Sequence, residues 1–292
     1  MKKILNILIN KIKYYKFSSL FLLFSYYLRK NSRHITFNKS DLLCSDNFKI
    51  KKDDGYKILN YENLSSFKNM LFSINKNLAN NFYFNNLINN SKKDFMNINS
   101  IDLSKKEHSS LIKFIKNSEI INSIADYINA PPILLSSQIW KSKKNEVNSN
   151  FTHSQLYHFD REDWRQIKCF IPIKKIDINS GPLNIINAKN TKLFKFKSLM
   201  KFKIPNSKSR YDDKFVNKLI DTPPMPLIAD VGDLILVDTS QCLHYGSRVN
   251  TNERLVIVLQ FVSPYSPKLD KIKIKKPNTF NDIRDFSLQL VQ

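Results

Sequence analysis

The chain has 292 residues, 42% of them hydrophobic, enough to bury about three quarters of its unfolded surface in one large domain or two small ones. Its four glycines, Gly55, Gly181, Gly232 and Gly246, lie far apart, so neither a three-glycine dinucleotide fingerprint nor a P-loop can be built. The formal charge of +22 favours an anionic partner, but the lysines are scattered along the chain among Asn and Ile and no run of them resembles a nucleic-acid module, so no nucleic-acid partner is expected.

In chain order, Lys2 and Lys3 precede the apolar run Ile4–Ile9, and a second run spans Phe17–Leu28. Neither reaches the ~18 residues that cross a bilayer, and no small-residue cleavage site follows. Residues 1–47 are read as a basic, partly apolar arm, packed on the domain or lying on an anionic membrane as an interfacial helix. Cys44, Cys169 and Cys242 form no CxxC pair, which fits free thiols in a reducing compartment. The expected location is cytoplasmic, with peripheral membrane contact through the arm as an alternative.

Gly55–Leu59 reads as a short strand. The next helix, capped by Asn63 or Ser65, carries the stripe Phe67, Leu71, Ile74 and Leu78. The Asn-rich stretch Asn80–Asn99 reads as a loop. A second helix carries Leu111, Ile112 and Ile115, with His108 on the same stripe as a packing residue. A third starts near Ser118, buries Ile120, Ile124 and Ile128, and stops before Pro131-Pro132. Strands follow at Ile133–Trp140, Gln155–Asp160, Ile167–Ile173, Pro182–Ile186, Leu234–Val237 and Leu255–Val262, with Trp140 read as core. Helices first and strands afterwards predict an α+β fold around antiparallel sheets.

The chemistry concentrates between Tyr157 and Val262. With a strand period of two, His158 and Asp160 project from one face while Phe159 faces away. His244 lies just past the strand that Gly232-Asp233 opens, and a hairpin through Gly246 to Asn252 is expected to bring Arg254 into the same interior. Two His, one carboxylate and a buried cation fit the facial triad of non-heme Fe(II) oxygenases. Such a triad leaves iron positions for a 2-oxo acid and O2, and the co-substrate's distant carboxylate suits the fixed fork of an Arg.

Gln155-Leu156-Tyr157-His158-Phe159-Asp160, the strand Lys168–Ile173, Asn179-Ser180-Gly181-Pro182-Leu183 and the His244–Arg254 segment together resemble the phytanoyl-CoA dioxygenase family. The resemblance spans about Phe48 to Pro264. It implies a double-stranded β-helix, the jelly-roll or cupin-like core, buttressed by N-terminal helices. It further implies an oxygenase domain over 48–265 and a C-terminal tail over 266–292. By position it assigns Fe(II) to His158, Asp160 and His244, and the side-chain carboxylate of 2-oxoglutarate to Arg254. The family oxidises a substrate C–H bond with O2 while 2-oxoglutarate becomes succinate and CO2. Asp160, where related halogenases carry a small residue, implies hydroxylation. Asn187-Ala188-Lys189-Asn190 replaces the family's Pro-Gly-Ser-His, which leaves the substrate subgroup open.

Arg248 is the rival to Arg254. Lys168 is either a second co-substrate cation or an outer-face charge, and Ser247 either a carboxylate donor or a turn residue. Gln155, Tyr157 and Trp164 are candidates for the substrate pocket or its packing. His153, five residues before His158, points to the opposite face, and His34 has no visible partner. Residues 189–227 interrupt the barrel with Phe194, Phe196 and Phe202 alternating with lysines. They read as a lid favouring an anionic or CoA-linked small molecule, or as a solvated strand pair. The alternative functions are a non-catalytic jelly-roll protein binding a ligand or membrane, and a zinc hydrolase on the same ligands.

Overall fold

Along Gln166–Pro172 and Leu255–Val262 nearly every side chain is buried, so both strands must be covered on two sides. The computed structural model shows how. It describes residues 18–33, 44–80, 95–142, 151–200, 210–248, 251–275 and 282–291, with Ile35, Phe37, Leu42 and Tyr83 besides. The strands are β1 (Tyr56–Asn60), β2 (Met96–Ser100), β3 (Ile133–Ser142), β4 (Tyr157–His158), β5 (Gln166–Pro172) and β6 (Leu183–Ile186). They continue with β7 (Arg210–Tyr211), β8 (Met225–Leu227), β9 (Asp233–Val237), β10 (Leu243–Tyr245) and β11 (Leu255–Val262). A six-stranded sheet runs β1-β9-β5-β11-β3-β2 and a five-stranded sheet β7-β4-β10-β6-β8. Every strand pairing is antiparallel. Two such sheets face to face, with helices outside, are an α+β double-stranded β-helix.

Strand alternation sorts three layers. Ile167, Cys169 and Ile171 of β5 and Leu255, Ile257 and Leu259 of β11 face the helices α2 (Ser65–Ala79), α3 (Ser109–Ile115) and α4 (Ser118–Ile128). Their neighbours Phe170, Val256 and Val258 turn inward to meet Ile185 of the small sheet. Behind the small sheet, Tyr157, Ile186, Leu243 and Tyr245 pack against Phe194 and Val216. The helix α4 is built as its sequence implies: the Asn117 side chain accepts from the backbone N–H groups of Glu119 and Ile120, and Asn129 closes the helix at φ 55°.

Several expectations are corrected. The end of the Asn-rich stretch is strand β2, because pairing with β3 and burial of Met96 override its turn-forming composition; residues 81, 82 and 84–94 lie outside the described residues. Neither Asn63 nor Ser65 caps α2; Leu64 occupies that position without a side-chain bond. Strand β4 is only Tyr157–His158, preceded by a 3-10 turn at His153–Gln155. His244 lies past the end of β9, as expected, but within a strand of its own in the small sheet. The segment from Gly246 to Arg254 therefore crosses between sheets and forms no hairpin with β9.

In the presumed lid, Ala188–Met200 forms α5, not a strand pair. Ala188, Thr191, Phe194 and Ser198 are its buried positions, a helical spacing beneath the Phe/Lys alternation. Phe202 and its neighbours at 201–209 lie outside the described residues, as do His34 and residues 1–17.

The described part of the arm, α1 (Ser18–Arg33), packs on the domain. Tyr26 meets Tyr265 edge to face at 5.0 Å, and Arg29 forms a fork to Asp270 at 2.7 and 2.6 Å. The tail also packs: Leu269 and Phe286, the latter in the short helix Ile283–Ser287, join Ile133 and Val262. Among the described residues no helix is long and apolar enough to cross a membrane.

Candidate metal centre and active site

The β4–β10 register puts His158 directly opposite His244. Directly opposed residues project from one face, so both imidazoles point between the sheets while Tyr157, Leu243 and Tyr245 point behind. Each Nδ1 lies 2.9 Å from a backbone carbonyl, that of Leu156 for His158 and that of Cys242 for His244. A carbonyl can only accept, so Nδ1 carries the hydrogen and each Nε2 keeps its lone pair, the arrangement of metal-ligating histidines. Burial pushes both imidazoles below their ordinary range, His158 strongly, which keeps them neutral and able to ligate.

Asp160 is fixed by its backbone N–H, which donates to the Thr239 carbonyl at 3.0 Å. Its Oδ2 lies 3.8 Å from His244 Nε2 and 2.6 Å from Lys168 Nζ. Burial works to raise the Asp160 carboxyl, but the Lys168 ammonium, in contact with it, outweighs burial and holds the group well below the usual carboxylate range. One potential ligand atom from each of His158, Asp160 and His244 lies within 4.8 Å of the others. The donor set, two neutral imidazoles and a charged carboxylate at one wall of an open cavity, fits a divalent transition metal with free coordination positions.

The cavity between the sheets measures about 510 Å³, the size of a small-molecule site. Arg254, just before β11, reaches its wall and is 5% exposed. Nη1 donates to the Gly181 carbonyl at 2.5 Å and Nη2 to Ser247 Oγ at 2.9 Å, while the buried Nε has no partner. Among the described residues no carboxylate pairs with it, and burial pushes the guanidinium down to about 10. Gly181, at φ 63°, and Ser247, at φ 60°, hold backbone conformations that L side chains rarely adopt. They are spent on aiming a carbonyl and a hydroxyl at this guanidinium.

Lys168 is no outer-face charge. It sits on the central strand β5, two residues from Phe170, and lines the cavity with its ammonium on Asp160 and 5.8 Å from the Trp140 ring centroid. Trp140 accordingly belongs to the cavity wall as well as to the packing. Arg248 points behind the small sheet, where it forks to Asp213 at 2.8 and 2.7 Å and stacks 3.4 Å from the Tyr245 ring centroid.

Gln155, Tyr157 and Trp164 lie outside the cavity lining. Gln155 Nε2 donates to the Ser247 carbonyl at 2.8 Å and so positions that turn. Tyr157 stacks edge-on with Tyr245 at 4.7 Å, and Trp164 packs against the helix-side core. His153 is exposed and apart from the ligand cluster; His108 is buried and stacked on Tyr83. Arg210, Arg161 and Lys268 line the cavity without having been singled out in the sequence. For Arg210 the available signal was a cation inside the segment expected to fold over the barrel mouth.

The sequence matches no family model and no curated protein. The fold does have solved counterparts. EctD from S. alaskensis, solved with 2-oxoglutarate and 5-hydroxyectoine, is 12% identical; the match covers 79% of each chain with a TM-score of 0.52. Its apoform is 11% identical over 79% of this chain and 80% of that one, with a TM-score of 0.51. The chain therefore shares the double-stranded β-helix fold of that protein.

Proposed function

We propose that this protein is an Fe(II)- and 2-oxoglutarate-dependent oxygenase that hydroxylates a C–H bond of a small molecule. One observation carries the reading: the His158–Asp160–His244 donor set shares a cavity with a buried Arg254 that pairs with no carboxylate among the described residues. Bound iron would supply oxygen activation coupled to conversion of 2-oxoglutarate into succinate and CO2. The chain's own residues do the rest. His158 and His244 present neutral Nε2 donors oriented by backbone carbonyls, and Asp160 supplies the anionic ligand. Arg254, held in plane by Gly181 and Ser247, offers a fork to the distant carboxylate of the co-substrate. Lys168 supplies a second cation on the same wall. Burial of Arg254, His244 and Lys168 in the cavity wall strengthens these charge interactions.

Residue patterns resembling the phytanoyl-CoA dioxygenase family, and the fold shared with EctD, a protein solved with 2-oxoglutarate, support the reading. A zinc hydrolase on the same three ligands would leave the buried guanidinium without a purpose. The test is anaerobic loading with Fe(II) followed by labelled 2-oxoglutarate and oxygen. Slow release of labelled CO2 is expected from the wild type and not from His158→Ala. Iron uptake without any decarboxylation would instead favour a non-catalytic binding protein.

A further inference from the structure

The small sheet places a cation next to the metal ligands. In the β7–β4 register Arg210 stands directly opposite His158, as His158 stands opposite His244 on its other side. The three side chains therefore form one row across the concave face. Arg210 lines the cavity and donates Nη1 to the His153 carbonyl at 2.6 Å. Among the described residues it is in contact with no carboxylate, although Asp160 attracts it from across the cavity.

The charge around the cavity is unbalanced. Arg161, Lys168, Arg210, Arg254 and Lys268 line it against only Asp160 and Glu162. A divalent metal and a dianionic co-substrate would cancel each other. Lys168 is matched by Asp160. Arg210, Arg254 and Lys268 then outnumber the remaining carboxylate of the lining, Glu162, and a low-dielectric wall magnifies the excess.

We infer that the substrate carries an oxyanion, and that Arg210 is the residue that selects and orients it beside the metal centre. The inference rests on the oxygenase reading and extends it to substrate class. Arg210 suits the role because its register position is fixed by the same ladder that fixes His158. A guanidinium also forms paired bonds to carboxylate or phosphate that lysines at the rim cannot.

The experiment uses the full-length protein loaded anaerobically with Fe(II) and then 2-oxoglutarate, titrated calorimetrically with 4-phenylbutyrate, phenyl phosphate and the neutral 4-phenylbutanol. At least one anionic probe is expected to bind about ten-fold or more tighter than the alcohol, and Arg210→Gln to erase that preference. Phosphate and carboxylate arms identify which oxyanion is favoured. Arg210→Lys, which keeps a donor for His153, is expected to retain a reduced preference and serves if Arg210→Gln does not fold. Arg210→Gln should lose far less 2-oxoglutarate affinity than Arg254→Met, since the deep guanidinium is untouched. Equal binding of alcohol and anions, no binding of either anion, or an undiminished preference in Arg210→Gln overturns the inference alone. Failure of the wild type to take up 2-oxoglutarate, seen before any probe is added, overturns the oxygenase reading and this inference with it.

Discussion

Replacing Arg254 with Met separates the two consequences of burying a cation without a counter-ion. In the ligand-free protein, burial lowers the guanidinium from 12.5 to about 10. At about 1.4 kcal/mol per pKa unit, that displacement corresponds to roughly 3 kcal/mol of unfavourable desolvation. The bonds to Gly181 and Ser247 return part of it. An apolar side chain of similar length removes both effects, so the ligand-free variant should be as stable as wild type or slightly more so. Co-substrate affinity should move far in the opposite sense. A buried, forked guanidinium–carboxylate contact is worth about 2–5 kcal/mol when truncated, or roughly 30- to 4,000-fold in Kd. Calorimetric titration of the Fe(II)-loaded protein with 2-oxoglutarate, beside thermal unfolding of the ligand-free forms, reads both. Wild-type affinity in a folded Arg254→Met variant would refute the assignment of the guanidinium to the co-substrate.

Asp160→Ala should lose Fe(II) affinity by more than about 100-fold, measured by metal analysis after anaerobic loading; stoichiometric iron would remove Asp160 from the ligand set. Lys168→Met should bind Fe(II) about ten-fold or more tighter and 2-oxoglutarate more weakly, because the ammonium repels the metal and attracts the co-substrate; parallel titrations would expose any shift of both affinities in one direction. Asp163, buried beside the backbone N–H groups of Trp164 and Ser263, has its carboxyl pushed by burial to about 7. A folded-state value raised above the unfolded one means stability is greatest at low pH and lost as pH rises from about 4 to 7, here by roughly 4 kcal/mol. Denaturant titrations should find that component missing in Asp163→Asn, and identical pH profiles for the two proteins would contradict it. Gly55→Ala puts a Cβ 2.6 Å from Cys242 Sγ at φ +74°; it should cost roughly 3 kcal/mol and lower the thermal midpoint by about 5 °C, and an unchanged midpoint by calorimetry would disprove the clash.

The candidate metal ligands were legible because each sits at a recognisable point of the chain. His158 and Asp160 sit two apart at a strand end, and His244 follows a turn and an apolar strand. The role of Lys168 was not legible from β5 alone, because its face depends on what covers the strand. Ile167, Cys169 and Ile171 look outward only because α4 and its neighbours pack there, which leaves no solvent face for a charge. Arg210 was hidden for a related reason. Its two-residue strand exists only as an addition to the equally short β4, and neither has enough length for periodicity to register. The helix α5 misled in the other direction, since its Phe/Lys alternation imitates a strand while its buried residues follow a helical repeat.

Lys168, Arg254 and Arg210 share a cavity wall but are compensated differently, and that difference orders the site. Lys168 already has Asp160 at 2.6 Å, a pair that a metal taking up the same carboxylate would have to share. Arg254 has only neutral acceptors and an unpartnered Nε, so it is the cation most in need of an incoming anion. Arg210 is half-buried and tied by one bond to a carbonyl, so its desolvation is smaller and its remaining donors stay available. Buried cations without counter-ions are expensive in a core that could hold Leu or Met instead. A fold that keeps Arg254 in that state, with the half-buried Arg210 across the same cavity, gains from the pair only when anions occupy it, one anchored deep at Arg254 and another beside the candidate metal ligands.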